Sequence, residues 1–317
     1  MSDIFDKTDS SLNGLGREPE VPEFIIETDD EARPPVETGR KEKPGRRWLR
    51  GILEALIIAL TVIVAFAAYK VWNYYMNIGV PISTSPSENI NKLQAEPVKE
   101  RAEVVLSSDS ILGVALDFYA IHGLRASIEF EEPDTADTSV FLYSRSADHQ
   151  ADGTYLGSLV VDGEELQSDC SRLGYMAMVA DRMVIGISRS DKVKDYCMEQ
   201  GGCFFRQFIL VSNGVIPHRF YLHGKVERRA IGRKDNTLYY IATRHKETLW
   251  DFADALREYG FIDAIYITGG YDYGFYRTAD GERHDIGNIE DYPHKKWKGI
   301  IPWLVFRAQP VSPEGRE

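Results

Sequence analysis

The residues with the most chemical potential lie in one short run. From Ile267 to Tyr276 the chain reads ITGGYDYGFY, which places Thr268, Gly269, Gly270, Tyr271 and Asp272 side by side. Glycines at a strand end let backbone N–H groups approach a ligand, because no side chain stands in the way. The same pair also suits a plain tight turn. Asp272 is a carboxyl group able to give or take a proton, and in a Gly-Tyr-Asp-Tyr-Gly run it can equally brace the turn through its own backbone. The aromatic residues Tyr271, Tyr273, Phe275 and Tyr276 offer flat faces for sugar stacking, although strand aromatics more commonly fill a core. Upstream, Arg228 stands between Glu227 and Arg229. An arginine fork matches a phosphate; its plainer role is an ion-paired or surface one. Asp148 and His149 offer an acid and a proton shuttle, or simply a polar hairpin. His218 and His223 flank Arg219 at a spacing unlike a metal site. The chain has no Walker-type loop, no Cys-x-x-Cys, no G-x-S-x-G and no zinc motif, so neither a metal nor another cofactor is expected.

These groups need elements to hold them. Leu249, Phe252, Ala253, Leu256 and Tyr259 recur at helical spacing, with Asp251, Asp254, Arg257 and Glu258 elsewhere on the wheel. Thr248 can cap the first turn, Asp251 can answer it, and Gly260 supplies the left-handed exit. Ala264 to Ile267 then reads as a short buried strand that ends at the glycines.

The passage resembles the phosphodiester glycosidase family, in which a helix of the form T-L-x-E-x-A-x-x-L-x-x-L-G leads into D-A-x-x-L-D-G-G-x-S. Thr248, Leu249, Ala253, Leu256 and Gly260 match the helix; Asp263, Ala264, Gly269 and Gly270 match the strand and its exit. The family's R-x-A-x-G is matched by Arg228, Ala230 and Gly232, and an Asn-Gly pair by Asn213 and Gly214. The likeness runs from about Val104 to Ala308. Two departures stand out. Thr268 occupies the position of the motif Asp, and the stretch from Tyr143 to His149 takes the place of an N-G-x-F loop. The resemblance implies hydrolysis of a sugar phosphodiester, which calls for a carboxyl acid, a second carboxylate and a cation or N–H array for the phosphate. With the motif Asp replaced, Asp272 is the candidate catalytic carboxylate if the turn presents it to the cleft; Arg228, by its motif position, is the catalytic candidate on the phosphate, and Asn213, Gly232, Thr268, Gly269, Gly270 and Tyr271 are the candidates for substrate binding. Replacement of the motif Asp leaves a second possibility, an inactive homologue that binds glycans or organises the envelope.

A net charge of −12 over 317 residues argues against nucleic acid as a partner, since phosphate backbones need a basic face. An anionic substrate would need a local cationic pocket. Of the three cysteines, Cys197 and Cys203 are close enough in sequence to close a small loop if the domain lies outside the cytoplasm.

Residues 1–47 are polar and Pro-containing and read as a disordered tail. Arg40, Lys41, Lys43, Arg46, Arg47 and Arg50 then precede an apolar run flanked by Trp48 and by Trp72, Tyr74 and Tyr75. About 20 apolar residues cross a bilayer, so 48–76 reads as a single transmembrane helix. The basic flank puts the N-terminus in the cytoplasm and the rest of the chain outside. Residues 77–103, rich in Ser, Pro and Asn, read as a stalk, and 104–310 as the folded domain. Its many short β-prone runs, punctuated by Asp162-Gly163, Gly201-Gly202 and Asn213-Gly214, predict an α+β fold: a mixed, largely antiparallel sheet with few packed helices. Ser107 to Leu124 is compatible with helix or strand. The expected partners are a glycan or sugar phosphodiester and a membrane.

Overall fold

The computed structural model describes residues 45–75, 83–96, 100–146, 154–217, 220, 223–270, 272–287 and 301–308. The tail before residue 45, together with Tyr271, Asp148, His149, His218 and Arg219, lies outside them. The chain divides into units 1–58 and 59–317, and the boundary falls within the first helix. That helix, α1 (Gly45–Tyr75), carries a window from Trp48 to Trp72 with mean hydropathy 2.5 and no buried residue. It is long and apolar enough to cross a membrane.

Helix α2 (Pro86–Gln94) lies within the stretch that reads as a stalk. Ser85 caps it by accepting the Glu88 N–H at 3.3 Å, and Pro86 opens it. The Ser-Pro composition that suggests a linker is therefore a helix start. Its Leu93 is buried in an apolar cluster with Val184 and Val193, and its Asn89 donates to the Tyr175 hydroxyl at 2.7 Å.

The strands follow as β1 (Glu103–Ile111), β2 (Val114–His122), β3 (Leu124–Glu129), β4 (Val140–Arg145), β5 (Leu159–Val161), β6 (Glu164–Gln167), β7 (Gly174–Val179) and β8 (Arg182–Ile187). Helix α3 (Lys192–Glu199) comes next, then β9 (Cys203–Gln207), β10 (Ile209–Val211), β11 (Arg228–Lys234) and β12 (Thr237–Thr243). Helix α4 (Leu249–Tyr259) leads into β13 (Asp263–Gly269), β14 (Tyr273–Arg277), β15 (Arg283–Gly287) and β16 (Trp303–Ala308). The fold is α+β, and every pairing between these strands is antiparallel. They form a six-stranded sheet, β1-β2-β12-β11-β13-β10, and two five-stranded sheets, β15-β14-β4-β16-β3 and β6-β5-β9-β7-β8. The segment open to either helix or strand is the β1–β2 hairpin, turned by Leu112 and Gly113, both at positive φ.

Helix α4 forms as its spacing requires. The Thr248 hydroxyl accepts the Asp251 N–H at 3.0 Å, and Gly260 ends the helix at φ +98°. Its buried face, Leu249, Phe252, Ala253 and Leu256, packs with Phe118, Ala230, Ile241 and Tyr266 on one side of the six-stranded sheet. The other side, with Tyr119, Ile231, Tyr240, Ile265 and Ile267, shares a core with Leu142, Met176, Phe205 and Leu304 from the two smaller sheets. The β11–β13 pair thus has a helix-facing and a sheet-facing side. Cys197 and Cys203 are both free and buried. Cys197 belongs to the cluster that contains Phe204, whereas Cys203 faces the opposite core with Phe205. The two thiols thus face different cores, and the loop that their spacing allows is not closed.

Candidate functional site

Successive side chains of a strand point to opposite faces, so Arg228 and Arg229 separate at the start of β11. Arg228 turns to the helix side, over the Tyr266 ring at 5.7 Å from its centroid. There its guanidinium is occupied. Nη2 donates to the Gly224 carbonyl at 2.7 Å, Nε to the Glu247 carbonyl at 3.0 Å and Nη1 to the Tyr266 hydroxyl at 3.3 Å. The sequence-based role of Arg228 on the phosphate meets a physical obstacle: the fork already ties the 224–228 segment to Glu247.

Arg229 turns to the sheet side and organises the polar centre. Its Nη1 donates to the Gly270 carbonyl at 3.0 Å, its Nη2 contacts Glu227 Oε2 at 3.2 Å, and its Nε lies 3.8 Å from Asp272 Oδ2. Burial works against the charge on Arg229, but Asp272, Tyr240 and Glu227 outweigh it and raise its pKa.

Asp272 follows the β13 exit and precedes β14, and its side chain has no exposed surface. Oδ1 accepts the Tyr273 N–H at 2.9 Å, and Oδ2 accepts the Ser144 hydroxyl at 3.2 Å. The Ser144 oxygen is in turn 3.0 Å from the Tyr240 hydroxyl. Two elements therefore meet on the carboxyl group, β4 through Ser144 and β11 through Arg229, and β12 joins them one hydrogen bond further out, through Tyr240 on Ser144. Burial pushes the Asp272 pKa above the usual carboxylate range, while Arg229, Arg145, the Tyr273 N–H and Ser144 pull the other way. Burial likewise raises the Tyr240 hydroxyl above the ordinary tyrosine range. The result is an enclosed carboxyl group that burial makes less acidic than an ordinary aspartic acid, with a fixed cation beside it.

No family model matches the chain, and no curated protein does. Among solved structures, the auto-inhibited catalytic domain of zebrafish N-acetylglucosamine-1-phosphodiester alpha-N-acetylglucosaminidase is similar at TM-score 0.48 and 13% identity, over 69% of this chain and 86% of that one. A hypothetical protein from Synechocystis is similar at TM-score 0.41 and 10% identity, over 67% of this chain and 64% of that one. These are distant likenesses of fold.

The remaining sequence-derived candidates fall into two places. Thr268 is fully buried and is the cross-strand partner of Arg229. Gly269 has no room for a side chain, since a Cβ there would stand 2.1 Å from the Tyr266 hydroxyl and 3.0 Å from the Glu227 carbonyl. Gly269→Ala is therefore expected to cost about 1–3 kcal/mol in a denaturant titration, as overpacked sites do. Gly270, at φ +81°, donates its N–H to the Glu227 carbonyl at 2.9 Å, and open space lies where a Cβ would stand. Asn213 and Gly232 lie away from this centre. The Asn213 N–H meets Asp263, which opens β13, while Gly269 closes it. At about 3.3 Å per residue the two ends are roughly 20 Å apart. Gly232 pairs with Ala264, and a Cβ there would meet the Phe261 ring at 2.7 Å and Ile241 at 2.9 Å. Its place is explained by packing. Among the described residues, no group of three or more His, Cys, Asp or Glu is placed to hold a metal ion.

Arg229, Ser144, Tyr240 and Glu227 join the site only in the folded chain. Ser144 lies in the stretch from Tyr143 to His149 singled out above as departing from the resembled pattern, and that departure is its only sequence signal. Tyr240 sits in an apolar run and carried no such signal.

Proposed function

We propose that the chain is a membrane-anchored hydrolase of sugar phosphodiesters, with Asp272 as proton donor and Glu227 as the second carboxylate. The observation that carries this reading is the shared guanidinium of Arg229, which contacts both carboxyl groups. The two carboxyl groups are thus neighbours across a single guanidinium, and a glycosidase needs two carboxyl groups close together. The environments of the two also differ. Asp272 is enclosed and its pKa is raised, which suits an acid; the Glu227 side chain is 35% exposed, which suits a base that must reach water. The sequence resemblance supplies the substrate class. Helix α1, with its basic N-terminal flank, supports a single span with the N-terminus in the cytoplasm and the domain outside, facing an envelope or exported glycan.

The test is turnover by the full-length chain in detergent on p-nitrophenyl- and nucleotide-linked sugar phosphodiesters. Wild type is expected to be active, and Asp272→Asn to lose about 10²- to 10⁴-fold, the usual contribution of a general acid. A folded wild type inert on the whole panel overturns the hydrolase reading.

One observation favours a second reading. Thr268 replaces the motif carboxylate, and the Asp272 side chain is wholly enclosed. A glycan-binding module built on this fold would bind the same compounds with no turnover in wild type or variant.

A further inference from the structure

The far end of β11 borders a different cleft. Arg229 lies near the start of that strand, at the polar centre, and Arg233 stands near its other end, roughly 13 Å away at about 3.3 Å per residue. There a cleft of about 460 Å³ opens where the end of α2, the β2–β3 turn, the start of β8 and the β11–β12 turn converge. That volume falls within the range of about 300–1,000 Å³ typical of small-molecule sites. Each of the three sheets contributes to its wall, through Ile121, Leu124 and Met183. Gly123, at φ +59°, lets the backbone at Glu100 and Arg101 pass close beside the turn, since a Cβ there would stand 2.4 Å from the Glu100 carbonyl oxygen.

Charge in the cleft is balanced. Lys92 meets Glu88 at 2.7 Å, and Arg233 meets Asp263. Arg182 donates through Nε to the Ala95 carbonyl at 2.9 Å and keeps its charge, but Asp181 and Glu100 share the lining with it. Glu100 has the His122 imidazole beside it at 3.5 Å. The three cations Lys92, Arg182 and Arg233 are thus set against the four carboxylates Glu88, Glu100, Asp181 and Asp263. No positive charge is left over for a phosphate, and three cations disfavour a cationic ligand.

The groups that are not engaged point to hydroxyls. Among the described residues, the side chains of Asp181 and Asn236 have no hydrogen-bond partner, and Arg182 uses only its Nε. A carboxylate accepts, a guanidinium donates and an amide does both; a hydroxyl, which also does both, can answer all three. Val184 and Leu238 add to the apolar wall of Ile121, Leu124 and Met183, a surface suited to the C–H face of a sugar ring.

We propose that this cleft is a second ligand site, which takes a neutral, hydroxyl-rich glycan segment through Asp181, Arg182 and Asn236. It is separate from the Asp272 centre and does not rest on the hydrolase reading.

The experiment is calorimetric binding to the full chain in a zwitterionic detergent, whose headgroup carries no sugar. The probes are tetrasaccharides of glucose, mannose and N-acetylglucosamine, with tetragalacturonate as the charged comparison. At least one neutral tetrasaccharide should bind, and tetragalacturonate should bind more weakly. Asp181→Ala/Asn236→Gly should weaken the neutral ligand about tenfold or more, as the loss of hydrogen bonds from two side chains entails. Glycine suits position 236, where φ is +65°, and the variant should melt with wild type because neither side chain holds the fold. Asp272→Asn should leave the affinity unchanged. Absence of binding by every neutral tetrasaccharide, or unchanged affinity in the double variant, overturns the cleft as a glycan site. Tetragalacturonate bound as tightly overturns the neutral class of ligand. Binding lost in Asp272→Asn and kept in the double variant overturns it too, and places the glycan at the Asp272 centre. Wild type inert on phosphodiesters with its cleft binding intact removes the hydrolase reading and keeps this inference.

Discussion

Arg229→Ala is expected to lower unfolding stability by about 3 kcal/mol at neutral pH, and by clearly less at pH 5. Removing one partner of a buried ion pair costs about 3–5 kcal/mol because the other is left without compensation. Here Arg229 and Asp272 are 4% and 0% exposed, so solvent screens neither. The lower end of the range applies because Asp272 has an escape. Without the guanidinium, the largest influence holding its pKa down is gone, and the carboxyl takes up a proton rather than remain a lone buried charge. The sign follows by linkage. A carboxyl whose folded pKa is raised contributes stability that is fully present below its unfolded pKa and is lost as pH rises through the folded value. The deficit of Arg229→Ala should therefore grow from pH 5 to pH 8. Arg228→Ala gives the contrast. Its guanidinium serves the Gly224 and Glu247 carbonyls and the Tyr266 hydroxyl, so its loss should cost about 1–3 kcal/mol of unmade hydrogen bonds, with little dependence on pH over that range. Denaturant midpoints for both variants at the two pH values check this. A pH-independent deficit for Arg229→Ala would show that the Asp272 pairing is not the source of its effect.

This contrast also marks what the sequence alone made legible. The α4 helix, its Thr248 cap, its Gly260 exit and the strand running to Gly269 were readable, because each rests on local chemistry: spacing of apolar residues, an oxygen at the cap, a glycine at positive φ. The choice between Arg228 and Arg229 was not readable. Neighbouring residues on a strand face opposite ways, and which of them meets Asp272 depends on how β11 is registered against β13. That register slips at a bulge between Arg229 and Ala230, and no local pattern in the sequence announces it. Ser144 and Tyr240 were beyond reach for a related reason. They approach Asp272 from strands 128 and 32 residues away in sequence, and only the facing of two sheets brings them together. Helix α2 is hidden by composition: Ser and Pro suit a linker, but Ser85 followed by Pro86 and Glu88 is equally a helix start.

The pH dependence of turnover gives the most direct test of Asp272, and its direction is fixed by the surroundings. An acid catalyst is active in its protonated form, so activity should persist above the pH at which an ordinary aspartic acid ionises, near 4, and should fall as pH rises through the raised Asp272 value. Burial sets that value high, and Arg229, Arg145, the Tyr273 N–H and Ser144 hold it back. The Ser144 hydroxyl donates to Oδ2 and stabilises the ionised form. Ser144→Ala should accordingly move the alkaline limb of the kcat/KM profile upward, toward higher pH, with the rate on the plateau changed much less. Tyr240→Phe keeps the Ser144 hydroxyl and removes only its 3.0 Å neighbour, so its limb should move less than that of Ser144→Ala. Asp272→Asn should lose the limb together with most of the rate. Were the limb unmoved in Ser144→Ala while the variant stays folded, the titrating acid would be another group, and Glu227, which reaches Arg229 from the exposed side, would take its place as the donor to test.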